Sequence, residues 1–199
     1  MKSNVCKIEK GTKDLEAIFN ECEKVAEYNR LTHKQALQLR LICEEIDGML
    51  PKITDDFDGN IWFEFEDGVC KVNVEIELED ITADEKERLI SISRSKNNAA
   101  AVGVLGKIRS AIEDFFLNED VVQAVVVKPG NFYLSTGFID GVDYAYLWSL
   151  EQYRELAKKN EVSEEWDELE KSVIASVADD VIVGVKGKTA SIVVVKKFC

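Results

Sequence analysis

The stretch "IWFEFEDGVCKVNVEIEL", residues 61–78, decides the fold class. Apolar and polar residues alternate on either side of Asp67-Gly68, and an Asp-Gly step between two alternating runs is the strongest short-range signal for an antiparallel hairpin. The alternation places Ile61, Phe63 and Phe65 on one face of the first strand, with Val72, Val74, Ile76 and Leu78 on one face of the second. A sheet with one buried face needs a covering layer, and the flanking sequence supplies it.

Upstream, "NVCKIE" (4–9) alternates loosely and reads as a short first strand, after which Gly11 and Thr12 break it. Leu15, Ile18, Phe19, Cys22, Val25 and Ala26 then recur at intervals of three and four, the spacing of an amphipathic helix to about Arg30. Thr32 followed by Gln35 is a capping-box pattern. It opens a second helix through Leu37, Leu39, Leu41, Ile42, Cys43 and Ile46 to Leu50, with Pro51 as its stop.

Downstream, Thr82 with Glu85 caps a short helix over about 83–92, and "NNAAAVGVLGKIRSAIEDFF" (97–116) carries a helix from about Ala99 to Phe116. Val121–Val127 is a continuous apolar run that reads as a buried strand, ended by Pro129-Gly130. "NFYLSTGFIDGVDYAYLW" (131–148) has no firm period. Helices are expected over 147–159 and 164–177, the second capped by Ser163, and "DVIVGVKGKTASIVVVKKF" closes the chain as a second hairpin, 180–198. The economical arrangement is an α/β (α+β) two-layer sandwich, one layer of helices on a mainly antiparallel sheet, in a single domain over 1–199.

Composition excludes several functions. The formal charge of −13 repels phosphate backbones and anionic lipid, so no nucleic-acid or membrane partner is expected. Arg94, Lys96, Lys107 and Arg109 form a local basic group that also fits solvated side chains beside a helix. No apolar run approaches the roughly 20 residues of a membrane span, and "MKSNVCKIEKGTKD" lacks the apolar block of a signal peptide. A cytoplasmic protein is expected. Five scattered cysteines with no C-x-x-C pair read as reduced thiols, and with one histidine no metal site is expected.

Two motifs carry chemistry. Glu44 follows Leu37 by seven residues and Leu41 by three, which puts it on their side of the second helix. There it serves either as a general base facing a cleft or as the solvated edge of an amphipathic helix. "VGVLGKIRSAI" places Gly103 and Gly106 at a helix start, where backbone N–H groups and the helix dipole favour phosphate. Neither the P-loop nor the dinucleotide fingerprint is met.

This order of helix, helix with an acidic pair, two strands, glycine-containing helix and terminal hairpin resembles the Bergerat fold of the GHKL superfamily. It is most similar to anti-sigma-factor serine kinases and related histidine kinase-like ATPases. The resemblance covers about 12–116 plus the terminal hairpin and leaves 118–177 as an insertion. It implies a histidine kinase-like ATPase fold, with Glu44 or Glu45 as catalytic base and Asp80, Gly103, Gly106, Lys107 and Arg109 around ATP or ADP. The family's E-x-x-x-N asparagine is absent, Gly48 and Met49 standing in its place, as are the glycines of D-x-G-x-G after Asp80. Losing a magnesium ligand removes most phosphoryl-transfer catalysis. The resemblance with these departures implies a regulatory, protein-binding chain with weak nucleotide binding. An active anti-sigma-type serine kinase is the alternative. Independently of the resemblance, Phe132, Tyr133, Phe138, Tyr144, Tyr146 and Trp148 form either an interaction or homodimer surface on a two-layer scaffold or a partly buried cover for the sheet.

Overall fold

The computed structural model describes residues 1–9, 15–53, 58–77, 104, 106–108, 112, 135–139, 142–160, 172–186 and 188–198. Among them run seven strands, β1 (Cys6–Glu9), β2 (Asp58–Glu66), β3 (Val69–Glu77), β4 (Ser135–Ile139), β5 (Val142–Ser149), β6 (Asp180–Lys186) and β7 (Thr189–Lys197). Helices α1 (Leu15–Tyr28), α2 (His33–Ile53), α3 (Leu150–Asn160) and α4 (Val173–Val177) accompany them, together with helical positions at 104, 106–108 and 112. The sheet order is β1-β2-β3-β7-β6-β5-β4, with each of these pairs antiparallel. The α+β class and the antiparallel sheet agree with the alternation of 61–78.

The β2–β3 hairpin turns on Asp67 and Gly68, both at positive φ (50° and 78°), as its two-residue turn requires. Ile61, Phe63, Cys70, Val72, Val74 and Ile76 are buried on one face and join one core with residues of α1, α2, α3, α4, β6 and β7. Gly59 is needed for a different reason. A Cβ there would collide with the Glu75 carbonyl oxygen on β3. The terminal hairpin lies mid-sheet, where β7 pairs with β3 from Val69↔Lys197 to Glu77↔Thr189.

The helix layer follows from local rules with three corrections. The Thr32 N–H donates to Gln35 Oε1 (2.8 Å) and Thr32 Oγ1 accepts from the Gln35 N–H (3.4 Å), the reciprocal capping box. Yet α2 does not stop at Pro51. It runs to Ile53, and the burial of Leu50 in the core holds the last turn despite the proline. α1 closes on Arg30 at φ 54°, with Leu31 N–H donating to Ala26 O (2.9 Å) and Arg30 N–H to Glu27 O (3.0 Å), the Schellman pattern.

The second correction concerns 135–139 and 142–149, which form two paired strands within a segment that showed no firm period. Register slips between Tyr146↔Gly184 and Trp148↔Val183, so one extra β5 residue intervenes and Trp148 comes level with a core residue. Trp148 is buried, its ring 6.0 Å from that of Tyr153, so it is no surface aromatic. The expected helix from 147 accordingly starts at Leu150, beyond the strand. Third, the expected helix over 164–177 does not run through Ser172, and 164–171 lie outside the described residues. Ser172 is extended (φ −87°, ψ 116°) and caps the five-residue α4 by accepting from the Ala175 N–H. The helix expected over 83–92, the Val121–Val127 strand and the Ser163 cap lie outside the described residues.

Candidate functional site

The acidic pair sits where α2 turns outward. Ile42, Cys43, Ile46, Met49 and Leu50 occupy the core side of the helix, so Glu44 falls opposite them. The sequence placed Glu44 on the side of Leu37 and Leu41 correctly, but that side faces water: Leu37 is 52% exposed and the Glu44 side chain 49%. Glu44 Oε1 accepts from Arg40 Nε at 3.3 Å, Arg40 Nη1 reaches Glu23 Oε1 of α1 at 3.4 Å, and the guanidinium lies 4.4 Å from the Phe19 ring centroid. An exposed ion-pair string of this kind lacks the desolvation that tunes a catalytic carboxylate. Glu45 is half-buried.

The two positions that would answer the family asparagine diverge. Gly48, four residues after Glu44, is exposed and carries no side chain, whereas Met49, four after Glu45, is fully buried. Neither offers a side-chain oxygen to a metal ion.

The glycine helix is described at five positions. Val104, Gly106, Ile108 and Ile112 are helical and buried, the three larger ones in the common core. Lys107 is half-buried, with Nζ 6.0 Å from the Tyr153 ring centroid on α3. Among the described residues no hydrogen bond or ion pair joins Glu44 or Glu45 to Gly106 or Lys107. Asp80, Gly103 and Arg109 lie outside the described residues.

A cleft opens between β1 and α2, with Lys7, Glu9 and Asp47 at its rim and Ile18, Cys43, Ile46, Leu50 and Ile61 among its walls. Its volume of about 20 Å³ accommodates about one water and no nucleotide. Lys7 at the rim pairs with Glu9 (2.5 Å) and Asp58 (3.3 Å), which raise its pKa.

Two polar or sulfur-bearing groups escaped the sequence reading. Cys22, Cys43 and Cys70 converge from α1, α2 and β3 in the core. The Cys22 thiol beside it and its burial hold the Cys43 thiol well above its usual range, and burial, helped by Cys22, pushes Cys70 up to about 12. Cys43 and Cys70 are neutral thiols without nucleophilic character, and among the described residues no His/Cys/Asp/Glu group has metal-binding geometry. Each lies in the apolar stripe of its own element, which is the one signal the sequence carried. Glu21, buried on α1, accepts from the Asn4 backbone and side chain (3.3 and 3.2 Å) and pairs with Lys24 at 2.6 Å.

Among the described residues no helix is long and apolar enough to cross a membrane. No family model matches this chain, and neither a curated protein nor a solved structure matches it.

Proposed function

We propose that this chain is a cytosolic regulatory protein that acts by binding another protein, on a histidine kinase-like ATPase fold whose catalytic apparatus has been lost. The observation that carries the reading is the pair Gly48 and Met49, one without a side chain and the other sealed in the core. With no side-chain oxygen at either position, the magnesium that neutralises the phosphates in phosphoryl transfer lacks its side-chain anchor. The Glu44 ion pair with Arg40 supports the same reading, because a base engaged at the surface is not held against a nucleotide. Weak ATP or ADP binding through Asp80, Gly103, Gly106, Lys107 and Arg109 remains compatible with lost turnover. Calorimetric titration with ATP and with ADP, with and without magnesium, tests the proposal. Dissociation constants weaker than about 0.1 mM, unaltered by magnesium and without phosphate release, are expected. Micromolar binding with turnover, abolished by Glu44→Ala or Glu45→Ala, would instead establish the kinase.

A further inference from the structure

The exposed face of α2 has a charge order that the isolated helix does not favour. Lys34 and Arg40 lie in its first half with no acidic residue among them, and Glu44, Glu45 and Asp47 follow in its second ahead of Lys52 in the last turn. The helix dipole favours acids in the first turn, where α2 has none and carries Lys34 instead. Along the same face Leu37, Leu41, Glu44 and Gly48 are spaced four, three and four, the interval of a helix–helix seam. Leu37 stands 52% exposed at one end, and at the other a Cβ added to Gly48 would meet nothing within 4 Å.

We infer that α2 pairs antiparallel with α2 of a second copy of this chain, Leu37 of each seating over Gly48 of the other. With the two-fold axis between Ile42 and Cys43, position 37 falls opposite 48, 41 opposite 44, and 40 opposite 45. The basic half of each helix then meets the acidic half of the other. Arg40 lies beside the second copy's Glu44 and Glu45, and the exposed leucine fills the gap that the absent glycine side chain leaves. Such an isologous contact needs one self-complementary patch, and the charge order supplies it. The net charge of −13 repels the copies at long range. At physiological salt that repulsion is screened beyond about 8 Å, so the short-range pairing decides. A single helix seam is small, so the dimer is concentration-dependent. The seam shares Glu44, Glu45 and Gly48 with the nucleotide question, but the inference is argued from the charge order and spacing of α2 and does not depend on the proposed function.

Sedimentation equilibrium of the full chain tests it. The mass is expected to rise from 22.4 kDa toward twice that value with concentration, and Leu37→Glu is expected to weaken association by about tenfold or more. Leu37 and Gly48 are exposed, so their variants fold, as far-UV circular dichroism will verify. In a Cys199→Ser background the double variant Leu37→Cys/Gly48→Cys is expected to form a covalent dimer on copper-catalysed oxidation, and each single variant far less. Cys6, Cys22, Cys43 and Cys70 are buried and do not compete. A mass fixed at 22.4 kDa at every concentration would overturn the inference, as would a dimer indifferent to Leu37→Glu, or single variants that cross-link as readily as the double.

Discussion

Among the described residues β1–α1–α2–β2–β3 and β5–α3–α4–β6–β7 follow the same strand–helix–helix–strand–strand order, and β3 meets β7 antiparallel between them. The first set has helices of 14 and 21 residues, the second of 11 and 5. α1 and α2 place Ile18, Cys22, Val25, Leu39, Ile42, Cys43, Ile46, Met49 and Leu50 in the core and finish their ends locally, through the Thr32–Gln35 box and the Arg30 turn. α4 closes its start on Ser172 and takes the Ala178 N–H on Ile174 O (2.8 Å), but in five residues most carbonyls still lack an intrahelical partner. Its end is closed from outside: Arg154 of α3 donates to the carbonyls of Ala175, Ala178 (3.2 Å) and Asp179 (2.7 Å). α3 in turn is capped from β6, where Asp180 Oδ1 accepts from the Glu151 N–H (2.9 Å), while Ser149 Oγ accepts from the Gln152 N–H (3.3 Å). Long helices are held by apolar burial, short ones by polar side chains reaching across elements. α2 packs on α4, joining the two kinds into one layer.

The contrast is broken most directly by a cavity in the first set. Ile42 is 0% exposed, and Ile42→Ala is expected to destabilise by about 2–5 kcal/mol in urea unfolding, with an unchanged dependence on denaturant. Arg154→Met keeps much of the side-chain length but removes the donors. It is expected to destabilise by about 1.5–3 kcal/mol and to speed amide exchange at Ser176 and Ala178 ahead of the α2 amides. If Arg154→Met proved the more damaging of the two, the division between apolar and polar closure would fail.

The same division explains what could be read from sequence. The 61–78 hairpin, the Thr32 box and the terminal hairpin depend on residues within a few positions of one another, so alternation and turn chemistry suffice. The β4–β5 region resisted because the bulge at Tyr146/Trp148 breaks the period of two just where a tryptophan must reach the core. Arg154 and Asp180 act on groups 21 to 29 residues away, a separation at which no local pattern exists. Glu44 shows the limit for the site. Helical spacing gave its neighbours Leu37 and Leu41, but only tertiary packing decides which side of an evenly apolar helix faces the sheet.

A smaller effect probes whether the first set also uses a polar anchor. Glu21 links α1 to Asn4, just ahead of β1. Lys24 beside it holds its carboxyl below the usual carboxylate value of 4.5 against the opposing effect of burial, with the Asn4 donors adding to the lowering. The folded state therefore takes up this proton at lower pH than the unfolded chain does. The stabilisation is complete above about 4.5 and fades as pH falls through the lower folded value. Glu21→Gln preserves the shape and removes the charge, so it is expected to lower stability by about 1 kcal/mol at pH 7. The difference from wild type should shrink as acid protonates Glu21, which urea unfolding across pH 7 to pH 3 measures. A difference that stayed constant into acid would show that Glu21 acts through packing alone. In that case the edge strand, like the rest of the first set, would be held without charge, and the contrast with Arg154 and Asp180 would be sharper than the hydrogen bonds suggest.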